Sequence, residues 1–496
     1  MPAAKKRMTP LAQPAGDSST RSRPAESIPD WKTLQSAIDG EVVLPGSPGY
    51  ERARKPFNTR YHEVLPKAIV LCATPEDVSE TIAFLDRHDL GNATRSGGHS
   101  FAGNSSTSGM VIDVTPMNGV SVSGEVATVG AGARLGDLYA TLENHNLTIP
   151  AGTCPPVGIA GLTLGGGLGI LGRKYGVTSD RLIGAQIVLA DGRILDCDEH
   201  HNEDLFWALR GAGSGNFGVV TSLVFRTVPV PEVTNIHLVW PYQHAAGVIE
   251  AWQRWAPAGP DELAASLKVT ASGEADQPPS VDVYGVLVGT ESEATGLLAE
   301  LVDRSGADPT SASIEQMTFS EMRRFWAHLG EAEAANGDNL QPQAEQQPYL
   351  FAKSEFFGQP LPAEAIQALV ENFTLRRVPG ETRELDFMPW GGAYNRVRPE
   401  ATAFVHRNEL FQVKHSVTVD PECSTGEKAD ALRWVSRSWA LVHPWGSRRV
   451  FQNFIDPDLK EWEEAYYGTN YDRLVRVKAR YDPNGFFRFH QSIPIR

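Results

Sequence analysis

The chain has 496 residues, more than one hydrophobic core organises well, with 41% hydrophobic and 21% charged residues, the ordinary mix of a globular protein of two domains. A formal net charge of −15 argues against a nucleic-acid binder held by overall basicity, while leaving room for phosphate gripped locally by backbone N–H groups. Cys72, Cys154, Cys197 and Cys423 are the four cysteines; no pair has C-x-x-C spacing, which argues against a disulfide scaffold and a zinc cluster and fits a reducing compartment.

Residues 1–27 mix Lys5, Lys6, Arg7, Arg21 and Arg23 with proline, serine and alanine and contain no apolar run. They read as a disordered tail rather than a secretory leader. No stretch elsewhere is long and apolar enough to span a membrane, so the expectation is a cytoplasmic chain with no membrane partner. AIVLCA (68–73) is a short strand, and TPEDVSETIAFLDRHDL (74–90) a helix with Thr74 as N-cap and Pro75 at its first position. GMVIDVTPM (109–117) and EVATVGAG (125–132) read as strands, and RLGDLYATLENHN (134–146) as a helix. RLIGAQIVLADG (181–192) reads as a strand pair turning at Asp191-Gly192; DLFWALRGAGSGNFGVVTSLVFRTVPV (204–230) runs helix, glycine loop, strand.

Beyond Pro231 longer strands, 233–240, 280–289, 349–357 and 409–419, alternate with helices near 243–257, 291–303, 362–377 and 425–441, the pattern of a sheet covered by helices on one face. The polar stretch 330–348 reads as a flexible loop, and 465–489 as a helix ended by Asp482-Pro483.

Two loops carry chemistry. In RSGGHSFAGNSS (95–106) consecutive N–H groups can form a concave nest for a diphosphate. AGTCPPVGIAGLTLGGGLGILGR (151–173) is a glycine- and proline-rich run without the preceding strand and later acidic residue of a dinucleotide fingerprint. A nucleotide-like ligand therefore fits, but on neither the P-loop nor the Rossmann plan. Taken singly, His99 is an ordinary loop histidine and Cys154 a small buried hydrophobe.

Taken together these stretches, with GAGSGNFGVVT (211–221) and YYGTNYDRLVRVKARYDPNGFFRFHQSIP (466–494), resemble the berberine-bridge-enzyme-like group of FAD-linked oxidases, from about Leu65 to the C-terminus and in family order. The resemblance implies an α+β fold of the vanillyl-alcohol-oxidase, PCMH-type superfamily. A two-part FAD-binding domain (28–230, its core about 65–230, completed by 446–496) would carry an inserted substrate domain (231–445) of antiparallel sheet backed by helices. It implies FAD held by two covalent bonds, from His99 to the 8α-methyl group and from Cys154 to C6. Imidazole and thiolate are both nucleophiles toward an electron-poor ring. Arg95, Ser96, Gly97, Gly98, Ser100, Gly152, Thr153, Gly158, Gly161, Leu162, Gly218, Val220, Tyr467 and Asn470 would line the cofactor. Val157, three residues after the cysteine, would control access of O2.

The same resemblance marks departures. Phe454 stands where many members hold a tyrosine base. Phe101, Leu162 and Leu168 replace residues that are often Tyr, His and Tyr, and Phe101, Leu168 and Phe454 point to a less polar substrate pocket. Lys414 occupies the place of a glutamate base and shares a strand face with Gln412. In an apolar pocket its pKa would fall and it could accept a proton; Tyr394 is a further candidate. The implied activity is an oxidase for a small alcohol, sugar or secondary metabolite that passes hydride to flavin N5 and electrons to O2, giving H2O2. The alternatives are a dehydrogenase with another acceptor, or a flavin-binding protein whose catalysis is lost. No metal and no nucleic-acid partner is implied.

Overall fold

The computed structural model describes residues 29–274, 277–332 and 348–496. The proposed tail and most of the proposed 330–348 loop lie outside the described residues. The fold is α+β, built from three principal sheets.

The first sheet is small and mixed, in the order Glu41–Val43, Ala68–Leu71, Met110–Asp113 and Asn92–Arg95. The last three strands are parallel, so each needs a crossover. The helix Pro75–Arg87 supplies the crossover between Ala68–Leu71 and Asn92–Arg95. Its capping box is complete: Thr74 Oγ1 accepts from Asp77 N at 3.1 Å and the Asp77 carboxylate accepts from the backbone of Ala73 and Thr74. The second sheet is antiparallel, in the order Val120–Ser123, Val126–Gly130, Val219–Arg226, Leu182–Val188 and Ile194–Cys197. Both deliver glycine loops to one region: 96–106 follows the end of Asn92–Arg95, and 211–218 precedes Val219–Arg226.

The third sheet has seven antiparallel strands: Ser311–Thr318, Glu232–Pro241, Ser280–Leu287, Leu263–Ala271, Glu381–Pro389, Phe411–Val419 and Tyr349–Phe357. Its two faces differ because a strand sends successive side chains to opposite sides. Leu263, Ala265, Leu267, Val269 and Ala271 are buried in one core with residues of the helices Ala245–Trp255, Glu291–Ser305, Ala363–Phe373 and Thr425–Val442. The alternate residues Ala264, Ser266, Lys268 and Thr270 face a cavity on the other side. Sequence reading finds four of these seven strands. It misses Leu263–Ala271, Ser311–Thr318 and Glu381–Pro389, whose alternate positions are polar.

The C-terminal segment returns to the first two sheets. The helix Tyr471–Tyr481 buries Lys478, whose ammonium donates to the carbonyls of Asn216 (2.5 Å) and Phe487 (2.8 Å) and pairs with Asp482 at 2.7 Å. Asn216 Oδ1 accepts from Ile493 N at 3.0 Å. Residues distant in sequence thus clamp the 211–218 loop in place.

Where the chain leaves the large sheet, Glu355 is fully buried; its Oε2 accepts from Trp439 Nε1 at 3.1 Å and meets His443 Nδ1 at 2.8 Å. Burial pushes its carboxyl up to about 8, so the folded state holds a proton that the unfolded chain releases. Stability should therefore fall as pH rises to 8, by up to about 1.4 kcal/mol per pH unit. Burial lowers the His443 pKa, which acts below about pH 6.5 and with the opposite sign. Thermal unfolding from pH 6.5 to 8 should show a falling midpoint in the wild type and a flatter profile in Glu355→Gln.

Candidate functional site

The glycine loops and the polar face of the large sheet enclose one cavity of about 1390 Å³. That exceeds the common range for a single small ligand, about 300–1,000 Å³, and leaves room for a dinucleotide and a substrate together.

One end is a backbone cradle. A Cβ on Gly97 would lie 2.2 Å from Gly158 N, and one on Gly158 would lie 2.2 Å from Ser96 Oγ, so the two loops touch main chain to main chain. Gly98 has φ +74°, a left-handed conformation that costs glycine little. Among the described residues no acceptor takes the backbone N–H of Gly97, Gly98, His99, Ser100 or Phe101. Five successive donors of this kind suit an anionic group, so the residues present fit the dinucleotide that the motifs imply.

His99 and Cys154, 55 positions apart in sequence, line this same cavity. The His99 ring stacks on Phe57 with centroids 4.3 Å apart. Burial, aided by the charge of Arg134, pulls its pKa down to about 4, so the imidazole is neutral with a lone pair to offer. Cys154 is exposed at the cavity, while Cys72 and Cys197 are buried and their thiols are pushed up to about 12 by burial. The ordinary expectation of a buried cysteine holds for those two and fails for Cys154.

Ser96, Gly97, Gly98, Ser100, Gly152, Thr153, Val157, Gly158, Gly161, Leu162, Gly218, Val220 and Tyr467 also line the cavity. Two of the expected cofactor residues serve other ends. Arg95 reaches the wall, but its guanidinium is taken up by Ala53 O, Ser105 O and Asp113, which hold the loop from behind. Asn470 does not line the cavity; its amide donates to the carbonyls of Pro399 (2.8 Å) and Thr402 (3.1 Å).

The catalytic candidates need correction. Gln412 shares a strand face with Lys414 but is fully buried and lies off the cavity wall, between Phe356 and Met388 on the neighbouring strands. Tyr394 donates its hydroxyl to Gly169 O at 3.0 Å and stacks on Trp390; burial raises its pKa well above the usual value, which unfits it as a base. Lys414 does reach the cavity, but its surroundings are not apolar. Burial alone would pull its pKa down. The carboxylates of Asp386, 3.3 Å away, and Glu384 outweigh that and hold it above the ordinary lysine value. It is an ammonium, not a base.

The reason is a feature the motifs do not reveal. Across four neighbouring strands Asp282, Lys268, Asp386 and Lys414 stand directly opposite one another in register, a row of alternating charge on the cavity face. Tyr284 donates its hydroxyl to Asp386 Oδ1 at 3.1 Å, and Ser416 donates to Glu384 Oε2 at 3.1 Å. The only trace in the sequence is the period of two in LAASLKVTA and TRELDFMP.

Against the Lys414 end of the row stands an apolar wall. Phe101 and Phe454 stack with centroids 5.3 Å apart, Leu168 and Phe454 pack against one buried aromatic cluster, and Lys414 Nζ sits 5.5 Å from the Phe454 centroid. The expectation of a less polar substrate therefore describes one side of the cavity only.

The chain matches the FAD binding domain family over residues 66–198 and the berberine and berberine-like family over 450–494. It is 32% identical over 471 residues to the uncharacterised FAD-linked oxidoreductase YgaK of Bacillus subtilis, covering 93% of this chain and 98% of that one. Berberine bridge enzyme-like 1 of Arabidopsis thaliana is 30% identical over 494 residues, with 92% and 90% covered. A solved structure of a berberine bridge enzyme variant in complex with (S)-reticuline superposes with a TM-score of 0.83 at 26% identity, over 94% of this chain and 98% of that one.

The cradle makes a contrast that thermal unfolding can read. Gly97→Ala and Gly158→Ala drive a methyl group into backbone and should each lower the midpoint by several degrees, at about 2–4 °C per kcal/mol for domains of 150–250 residues. Gly119→Ala, away from the cavity and with nothing within 4 Å of the new atom, should leave it within about a degree.

Proposed function

Because the chain belongs to the berberine-bridge-enzyme-like family of FAD-linked oxidoreductases, we propose that it is an oxidase whose FAD is bonded to both His99 and Cys154 and whose substrate lies in the cavity lined by the Phe101–Phe454 wall and the charged row beside it. The observation that carries this reading is that a neutral, half-buried imidazole and an exposed cysteine line one cavity beside five unclaimed backbone donors.

Bound FAD would accept hydride from the substrate's C–H bond at N5 and pass the two electrons to O2, giving H2O2. The chain's own residues do the rest. Thr153 and Gly161 leave space for the ring to come close, and the two prolines after Cys154 stiffen the loop that presents the sulfur. Val157, half-buried on the wall, with its carbonyl accepting from Leu135 N at 3.0 Å, would govern the approach of O2.

The proton of the substrate's O–H or N–H group needs an acceptor. Phe454 cannot take it, and Lys414 is already charged. Asp386 is suited: its carboxylate is addressed by Lys414 and Tyr284, which orient it, and it lines the cavity. A substrate with an apolar body and several hydrogen-bonding groups, such as a hydroxylated secondary metabolite, an alcohol or a sugar derivative, would meet both walls.

A panel of such compounds assayed for peroxide under air should produce at least one active substrate, and turnover that needs an added dye would instead make the protein a dehydrogenase. With that substrate, Asp386→Asn should slow anaerobic bleaching of the yellow colour by about 10²-fold or more, the usual scale for loss of a general base. Bleaching at the wild-type rate would remove Asp386 from the mechanism.

A further inference from the structure

The charge of Lys414 has a use that does not depend on proton transfer. Its ammonium sits over one end of the Phe454–Phe101 stack, and Phe101 lies two residues from His99, so the cation stands at the tethered end of the cavity. Three other basic side chains of the cavity wall are differently committed. Arg173 lines the wall, but its guanidinium donates to the carbonyls of Pro257, Gly259 and Trp390. Arg95 is locked behind its loop. Lys268 stands one place along the row, between Asp282 and Asp386.

We propose that Lys414 is a fixed cation that stabilises the negative charge the isoalloxazine gains when it takes up a hydride. This rests on the flavin reading above. The row of alternating charge gives the cation its permanence: Asp386 at 3.3 Å holds the ammonium in place, as burial among apolar groups alone would not. A positive charge fixed before the reaction costs no reorganisation when the negative charge arrives. At an effective dielectric of about 20, a unit charge within about 10 Å shifts such an equilibrium by more than tenfold.

Sulfite tests this without any substrate. It adds through sulfur to flavin N5, no group leaves, and the ring acquires the negative charge, so its affinity reports the field at the ring. The dissociation constant for sulfite, read from bleaching of the flavin band, should rise about tenfold or more in Lys414→Met. The two-electron midpoint potential, measured against reference dyes, should fall by about 30 mV for each tenfold change. Lys414→Arg should stay within about threefold of the wild type. Should Lys414→Met fail to accumulate as yellow protein, Lys414→Gln carries the same expectations. Yellow variants whose sulfite affinity and potential lie within twofold and about 10 mV of the wild type would overturn the role of Lys414 and leave the flavin reading intact. A colourless wild-type protein would overturn both.

Discussion

The main-chain contact between Gly97 and Gly158 is the constraint on which the site depends. It joins a loop leaving the first sheet to a loop that follows the second sheet's early strands. Neither position tolerates a side chain, because each Cβ would fall about 2.2 Å from a neighbouring atom. The contact brings the loop that carries His99 against the loop that carries Cys154, and both residues line the one cavity. Without it the two nucleophiles would belong to separate loops, and a large, open cavity would have no fixed point from which to hold a ring.

Around that point the molecule divides its labour. The first two sheets and the C-terminal segment supply backbone donors and hold the glycine loops, with the buried Lys478–Asp482 pair tying the last helix to Asn216. The large sheet supplies side chains. It buries its apolar face under four helices and spends the other on the cavity. Charged residues on that face are kept by pairing, since an isolated charge there would be costly. The row Asp282–Lys268–Asp386–Lys414 is such a solution, and it changes the chemistry of each member. A lysine that would lose its proton among apolar neighbours keeps it beside a carboxylate.

What was legible in the sequence follows from how local each signal is. The glycine loops, the capped helix at Pro75–Arg87 and the order of the later motifs are contiguous, and they led to the fold class, the family and the residues lining the cradle. The strands Leu263–Ala271 and Glu381–Pro389 were missed because half of each faces an internal polar cavity, which dilutes the apolar pattern. The state of Lys414 is not legible in the sequence, because its partner, Asp386, lies 28 positions earlier and meets it only through strand register. Gln412 shows the same limit: sharing a strand face with Lys414 does not bring it to the cavity, although its register partner Met388 lines the wall, because its side chain is fully buried in the sheet. Arg95 and Asn470 look like ligand residues in a motif, yet their hydrogen bonds go to the protein's own carbonyls.

The central claim is that one flavin is bonded at once to His99 and Cys154. Protease digestion of the denatured protein followed by mass spectrometry tests it most directly. The account predicts a single species in which the peptide containing His99 and the peptide containing Cys154 are joined through one FAD. Recovery of both peptides at their unmodified masses, with FAD released into solution, would contradict it.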